Sequence, residues 1–173
     1  MRVKVVKEMA KFLGESLPSN IAERIKVRST SPETKEAILL ASVDESGFPN
    51  IALLSYSDIV AVSSKIILVA IGQSSSTKKN LIRTRKGTLI LWLGVDLGLI
   101  YVKCVGGLFR EAMESNVEGF TCSAMLFTVE RVTQDNSPEA PLLSTLTYDN
   151  SVIAAGHTKL YEELEQLSRS VGA

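Results

Sequence analysis

The chain has 173 residues, 45% of them hydrophobic and 22% charged, a composition that suits one domain with a substantial core. Nineteen basic residues balance nineteen acidic ones, which excludes the bulk positive field of a nucleic-acid or membrane-surface binder. The N-terminal MRVKVVKEMAKFL is broken by charge every few residues, and apolar runs such as IILVAI are far too short to span a bilayer, so a cytoplasmic protein is expected.

The first thirty residues read as helical, with Val5, Met9, Phe12 and Leu13 at helical spacing. Pro18 closes this helix or opens a second through Ile21 and Ile25, and Ser31-Pro32-Glu33 forms a turn or helix start. From residue 37 the period changes. AILLASV (37–43) and PNIALLSYS (49–57) flank an Asp-Glu-Ser-Gly turn, a hairpin signal in which Gly47 can take positive φ. IVAV (59–62) and IILVAI (66–71) give further strands across a Ser-Ser-Lys turn.

KKNLIRTRKG then predicts a short helix ending near Gly87. TLILWLG (88–94) and LGLIYVKCVGGLFRE (97–111) follow as strands, with Gly106-Gly107 suggesting a bulge or bend. A short helical or irregular piece (112–119) leads to the long strand 120–134. Pro138 and Pro141 mark a surface loop, and 158–170 predicts a C-terminal helix. The order implies a mainly β, six-stranded antiparallel split barrel with flanking helices. It divides one domain, 1–173, into an N-terminal helical segment (1–32), the barrel (33–135), and a loop with the C-terminal helix (136–173).

Two cysteines, Cys104 and Cys122, and one histidine, His157, fall short of the roughly four ligands of a structural zinc site. The cysteines read as small buried hydrophobes and His157 as a surface residue. Arg83, Arg85 and Lys86 read as a solvated basic run at a helix C-terminus, with a substrate anchor as the alternative.

The densest polar feature is Gly-Gln-Ser-Ser-Ser-Thr-Lys-Lys-Asn-Leu, residues 72–81, where a buried strand passes into a helix. The first helical turn leaves four N–H groups without intrahelical partners and carries partial positive charge. Hydroxyls and ammonium groups placed there make a phosphate cradle. The alternative is one serine as N-cap and the rest as solvated turn residues. No Walker pattern is present.

Taken in order, these motifs resemble the FMN-binding split-barrel family, which includes pyridoxamine 5'-phosphate oxidases, small flavin-binding proteins and related reductases. Asp44, Gly47 and Pro49 match its D-x-x-G-x-P turn, and Thr77, Asn80 and Leu81 match its phosphate segment. The resemblance covers about residues 33–135. It implies that Ser75, Ser76 and Thr77 hold the FMN phosphate, with Asn80 supporting the turn. Relatives often carry a basic residue where this chain has Ser76, so charge would come from Lys78, Lys79 or the helix terminus. Leu53, Leu54, Ser55 and Tyr56 would run along the isoalloxazine edge, and Ala70, Ile71 and Gly72 would lie under the ribityl chain. The cofactor would sit between the subunits of a homodimer, its ring covered by Phe120 or Trp92 of the partner chain.

No residue pattern supplies a protein nucleophile or acid–base pair, which suits a flavoprotein whose cofactor carries the redox chemistry. The resemblance implies an FMN-dependent oxidoreductase acting on a small redox substrate. Its C-terminus, YEELEQLSRSVGA, is a mainly acidic helix and lacks the basic segment expected of a strict pyridoxamine 5'-phosphate oxidase. A flavin carrier without turnover, and a protein taking the deazaflavin coenzyme or heme in the same groove, are the alternatives; heme is disfavoured by the single histidine.

Overall fold

The computed structural model describes residues 10–31, 34–114, 121–137, 139–149 and 154–171. Among them run β1 (Ala10–Gly14), α1 (Ser19–Thr30), β2 (Ile38–Val43), β3 (Pro49–Leu54), a 3₁₀ turn (Tyr56–Asp58), β4 (Ile59–Ala61) and β5 (Ile66–Gly72). There follow α2 (Ser76–Thr84), β6 (Lys86–Trp92), β7 (Leu99–Glu114), β8 (Thr121–Asp135) and α3 (Ala154–Val171). The strands form one antiparallel sheet in the order β3-β2-β6-β7-β8-β5-β4. β8 is its hub. β7 pairs along one side of it, while the other side takes β5 against residues 122–128 and β1 against 132–135.

Alternation along the strands sets two cores. On the inner face, Leu40, Val69, Leu89, Val102 and Phe127 pack against Ile21 and Ile25 of α1 and Leu81 of α2. On the opposite face, Leu68, Ala70 and Ala124 pack under Leu160, Tyr161 and Leu164 of α3. β5 therefore buries both faces, which is why IILVAI reads as an unbroken apolar run rather than an alternating one. Among the described residues no helix is long and apolar enough to cross a membrane.

The β2–β3 hairpin forms as its sequence predicts. The Asp44 carboxylate accepts from the N–H groups of Ser46 and Phe48, each at 2.9 Å, and Gly47 takes φ of 85°. Cys104 and Cys122 are buried and unpaired, in keeping with their reading as core residues. Burial pushes the Cys104 thiol up to about 12 and Cys122 to about 11.

Several expectations are corrected. Eight strands appear among the described residues where a six-stranded barrel is expected: β1 joins the sheet unforeseen, and the run read as a strand at 59–62 forms the three-residue β4. Residues 10–14 are strand rather than helix. β8 offers a free edge beyond β5, and Phe12 there lies under Arg131, whose Cζ is 5.0 Å from the ring centroid. Pro18 precedes α1, the second of its two predicted roles, while Val5, Met9, Pro32 and Glu33 lie outside the described residues. The helix expected to end near Gly87 stops at Thr84, because Arg85 itself takes the left-handed conformation at φ of 56°.

Gly87 serves packing instead, since an added Cβ would meet Leu81 Cδ2 at 3.1 Å and Leu40 Cδ1 at 3.4 Å. The register shifts between β7 and β8 fall at Lys103/Cys104, Leu108/Arg110 and Arg110/Met113, not at the Gly106-Gly107 pair. Gly106 marks a close approach of backbones: a Cβ there would lie 1.9 Å from the Leu126 carbonyl oxygen. Residues 112–114 continue β7, and 115–119 lie outside the described residues, as does Pro138.

Candidate functional site

The first turn of α2 is built by its sequence. Ser75, extended at φ −73° and ψ 150°, is the N-cap, and its hydroxyl accepts from the Lys78 N–H at 3.1 Å. The cap reading thus describes Ser75, and Ser74 and Ser76 are exposed. Thr77 differs: it is 4% exposed, and its Oγ1 accepts from Asn50 Nδ2 of β3 at 3.0 Å. Asn80, one turn on, is buried and donates to Ser42 Oγ of β2 at 3.3 Å. The N–H groups of Ser76 and Thr77 donate to no described acceptor, so two of the turn's orphan donors remain for an anion.

Charge at this turn is partly spent already. The Lys78 side chain is 9% exposed and its Nζ meets Glu111 of β7 at 2.9 Å, which leaves the exposed Lys79 and the helix terminus as positive charge for a phosphate. The donors present therefore fit a phosphate monoester. Arg83, further along α2, donates to the Val43 carbonyl, which leaves Arg85 and Lys86 as the exposed rest of the basic run.

β3 leads away from this turn along a sheet edge. Among the described residues it has only β2 as neighbour, which leaves alternate N–H and C=O groups along its outer side without a partner strand. Ile51 and Leu53 are 51% and 63% exposed, and with Val43 and Phe48 they make an uncovered apolar face beside that edge.

Leu54 points into the core. The expected second strand stops there, because Ser55 caps a 3₁₀ turn. Its N–H and hydroxyl both donate to Asp58 Oδ2, at 2.7 and 2.9 Å, and its Oγ lies 2.8 Å from Ser57 Oγ. Ser55 and Tyr56 are buried. The Tyr56 hydroxyl donates to the Trp92 carbonyl at 2.9 Å, and burial drives its phenol far above the ordinary range.

Trp92 belongs to this second cluster rather than to the α2 turn. Its Nε1 donates to the Leu142 carbonyl at 3.2 Å, and the Arg28 guanidinium lies over both the Tyr56 and Trp92 rings, at 5.6 and 5.7 Å. Arg28 is held there by Glu36 at 2.8 Å. Burial also raises the Tyr148 phenol, and its bond with Ser55 offsets only part of the rise.

The structure thus brings Ser75, Ser76, Thr77 and Asn80 to the head of β3, with Leu53 farther along the same strand. It encloses the side chains of Ala70 and Ile71 in the two cores and leaves Gly72 at the strand end, where its carbonyl accepts from Ser75 N–H at 3.0 Å. Phe120 lies outside the described residues, as does the side chain of His157 in α3. Sequence reasoning missed Asn50, Ser42 and Glu111. Asn50 had a signal, since it directly follows the D-x-x-G-x-P turn; a serine inside an apolar strand and a glutamate near a strand end had none.

No protein-family model matches the chain. The uncharacterized protein YclD of Bacillus subtilis (strain 168) is 35% identical over 57 residues, and the chain spans 37% of that protein's length and matches it over 33% of its own. Among solved structures, a candidate pyridoxamine 5'-phosphate oxidase of Lactobacillus delbrueckii superposes with a TM-score of 0.53 at 14% identity, covering 70% of this chain and 98% of that one. HupZ of Group A Streptococcus superposes with a TM-score of 0.51 at 13% identity, covering 76% and 98%. These likenesses show the fold: a mainly β split barrel of the pyridoxamine 5'-phosphate oxidase-like type.

Proposed function

We propose that this chain is an FMN-binding flavoprotein, acting as a homodimer that passes electrons from a reduced donor to a small acceptor. The observation that carries the reading is the meeting of α2 and β3. A hydroxyl-rich helix start with two uncommitted N–H groups stands at Thr77, 3.0 Å from Asn50 at the head of an unpaired strand edge. A phosphate at the helix start would leave the rest of a flavin mononucleotide to extend along that edge.

In this arrangement the Ser76 and Thr77 N–H groups and the Thr77 hydroxyl bind the phosphate, and Lys79 adds charge. The free N–H and C=O groups of β3 orient the polar side of the ring, while Leu53 covers a ring face and excludes water. Bound FMN supplies two-electron redox chemistry, which is why the protein itself needs no nucleophile. The uncovered face of Val43, Phe48, Ile51 and Leu53 supports a second copy as the other wall of the groove.

The test is the visible absorption spectrum of the pure protein after loading with FMN and desalting. Retained flavin absorbance at stoichiometric level is expected. A colourless protein that instead retains the deazaflavin coenzyme would overturn FMN and keep the groove; release of both would overturn the reading.

A further inference from the structure

We propose that the cleft between the end of β7 and α3 is a second binding site, on the opposite face of the sheet from α2, and that it takes a small zwitterion: a free amino acid with an aliphatic side chain. The inference is independent of the flavin reading. The cleft measures about 490 Å³, within the range of small-molecule sites. Arg110 and Met113 of β7 line one side, and Glu163, Gln166, Leu167 and Ser170 of α3 line the other.

The backbone of β7 is reshaped to make its side. A regular strand turns residues 110 and 113 to opposite faces. Here Arg110 pairs with Ala124 and Met113 with Cys122, so Glu111 and Ala112 together stand opposite Ser123. This is a bulge, and Ala112 carries it in the left-handed region at φ of 55°, an uncommon conformation for a residue with a Cβ. The bulge separates neighbours in sequence. Glu111 reaches Lys78 of α2 at 2.9 Å on one face, while Arg110 and Met113 both turn to α3 on the other.

The α3 side follows from helical spacing. Leu160, Tyr161 and Leu164 seat the helix on the sheet. Residues 163, 166, 167 and 170 form the flank beside that seam, where the helix meets the reshaped end of β7. Glu163 is turned toward the floor of the cleft. Burial chiefly raises the thiol of Cys122, the cross-strand partner of Met113, and the carboxylates of Asp58 and then Glu163 add to the rise.

The cleft therefore holds one cation and one anion that do not neutralise each other. The ion pairs among the described residues join Arg24 to Asp96, Arg28 to Glu36 and Lys78 to Glu111, and neither Arg110 nor Glu163 takes part. A purely anionic ligand would bring its charge to Glu163, and a purely cationic one would bring its charge to Arg110. A molecule with a carboxylate for Arg110 and an ammonium for Glu163 is complementary to both. Between the charges lie Met113, 4% exposed, and the half-buried Leu167, which give an apolar body its contact. Those three requirements together describe an aliphatic amino acid.

The test is isothermal titration of the full chain with leucine and with its two halves in charge. These are 4-methylpentanoate, which lacks the ammonium, and 3-methylbutylamine, which lacks the carboxylate. The wild type should bind leucine at least about 10-fold more tightly than either. Arg110→Gln should weaken leucine about 10-fold without weakening 3-methylbutylamine, and Glu163→Gln should weaken leucine about 10-fold without weakening 4-methylpentanoate.

That crossed pattern is what a structural role would not produce, since a distorted cleft weakens all three ligands together, and that outcome overturns the proposal. Absence of leucine binding up to about 10 mM overturns it as well, as does a leucine affinity that either substitution leaves unchanged. Neither result bears on the flavin, whose proposed place is on the other face of the sheet.

Discussion

Gly106→Ala tests the closest approach in the fold. An alanine Cβ at this position would lie 1.9 Å from the Leu126 carbonyl oxygen, and 2.8 Å from both the Leu126 carbonyl carbon and the Phe127 Cα. All three are backbone atoms of β8, so no side-chain rotation relieves the overlap. β7 and β8 must separate locally by on the order of 1 Å, as in other overpacked sites. The separation strains the ladder at the flanking pairs Val105↔Thr128 and Gly107↔Leu126. Two weakened backbone hydrogen bonds at about 1 kcal/mol each, with overpacking strain of about 1–3 kcal/mol, sum to roughly 3–5 kcal/mol.

For a domain of this size that corresponds to a fall in Tm of about 10 °C. Gly107→Ala is the control, because its Cβ would meet only Arg85 Nη2, at 3.9 Å, and the change should stay within about 1 kcal/mol. Thermal and urea unfolding followed by far-ultraviolet circular dichroism measure both. A Gly106→Ala protein that melts within about 2 °C of wild type would refute the reasoning.

Replacing both Ser76 and Thr77 by alanine removes one phosphate-facing hydroxyl, that of Thr77, and should weaken FMN binding by about 1.5–3 kcal/mol, read by titration; unchanged affinity would reduce the serine run to a helix cap. Leu53→Glu puts a charge on the uncovered face and should convert a dimer to a monomer in light scattering, with Tm changed by no more than a few degrees; an unaltered mass would move the subunit contact elsewhere. The cysteines give a pH prediction. The folded thiols titrate near 12 and 11, raised from the ordinary 9.0, so the unfolded chain loses these protons first. Their contribution is complete below pH 9 and is lost as pH rises through the folded values. Urea midpoints should fall across that window, and the fall should be shallower in Cys104→Ala; an equal slope would mean that Cys104 contributes nothing to it.

Legibility of the sequence followed the range of the forces involved. The β2–β3 hairpin was readable because its turn chemistry is local: Asp44 and Gly47 determine it within five residues. The run 66–71 was readable because double burial removes polar residues from both faces. β1 was not, since Phe12 and Leu13 have helical spacing and what makes them strand is an edge of β8 some 120 residues away. Ser55–Asp58 looked like more strand because the capping bonds that bend it use ordinary polar side chains. In the candidate site, the donors of α2 stood out as a cluster, whereas Ser42 and Asn50 appear as single polar residues in alternating strands. Only the packing of three elements together reveals what they hold.

Trp92 is the sole tryptophan, and it is clamped between the Arg28 guanidinium and the loop carbonyl of Leu142. The protein therefore carries one built-in fluorophore, and it reports on one junction, where α1, β6 and the loop after β8 converge. Its emission should shift when that loop lifts and the indole meets water, whether or not the sheet has melted. If emission and circular dichroism change together with temperature, the loop belongs to the same cooperative unit as the sheet. Emission changing first would make the loop a separate, weaker unit, with its own opening equilibrium beneath the global one.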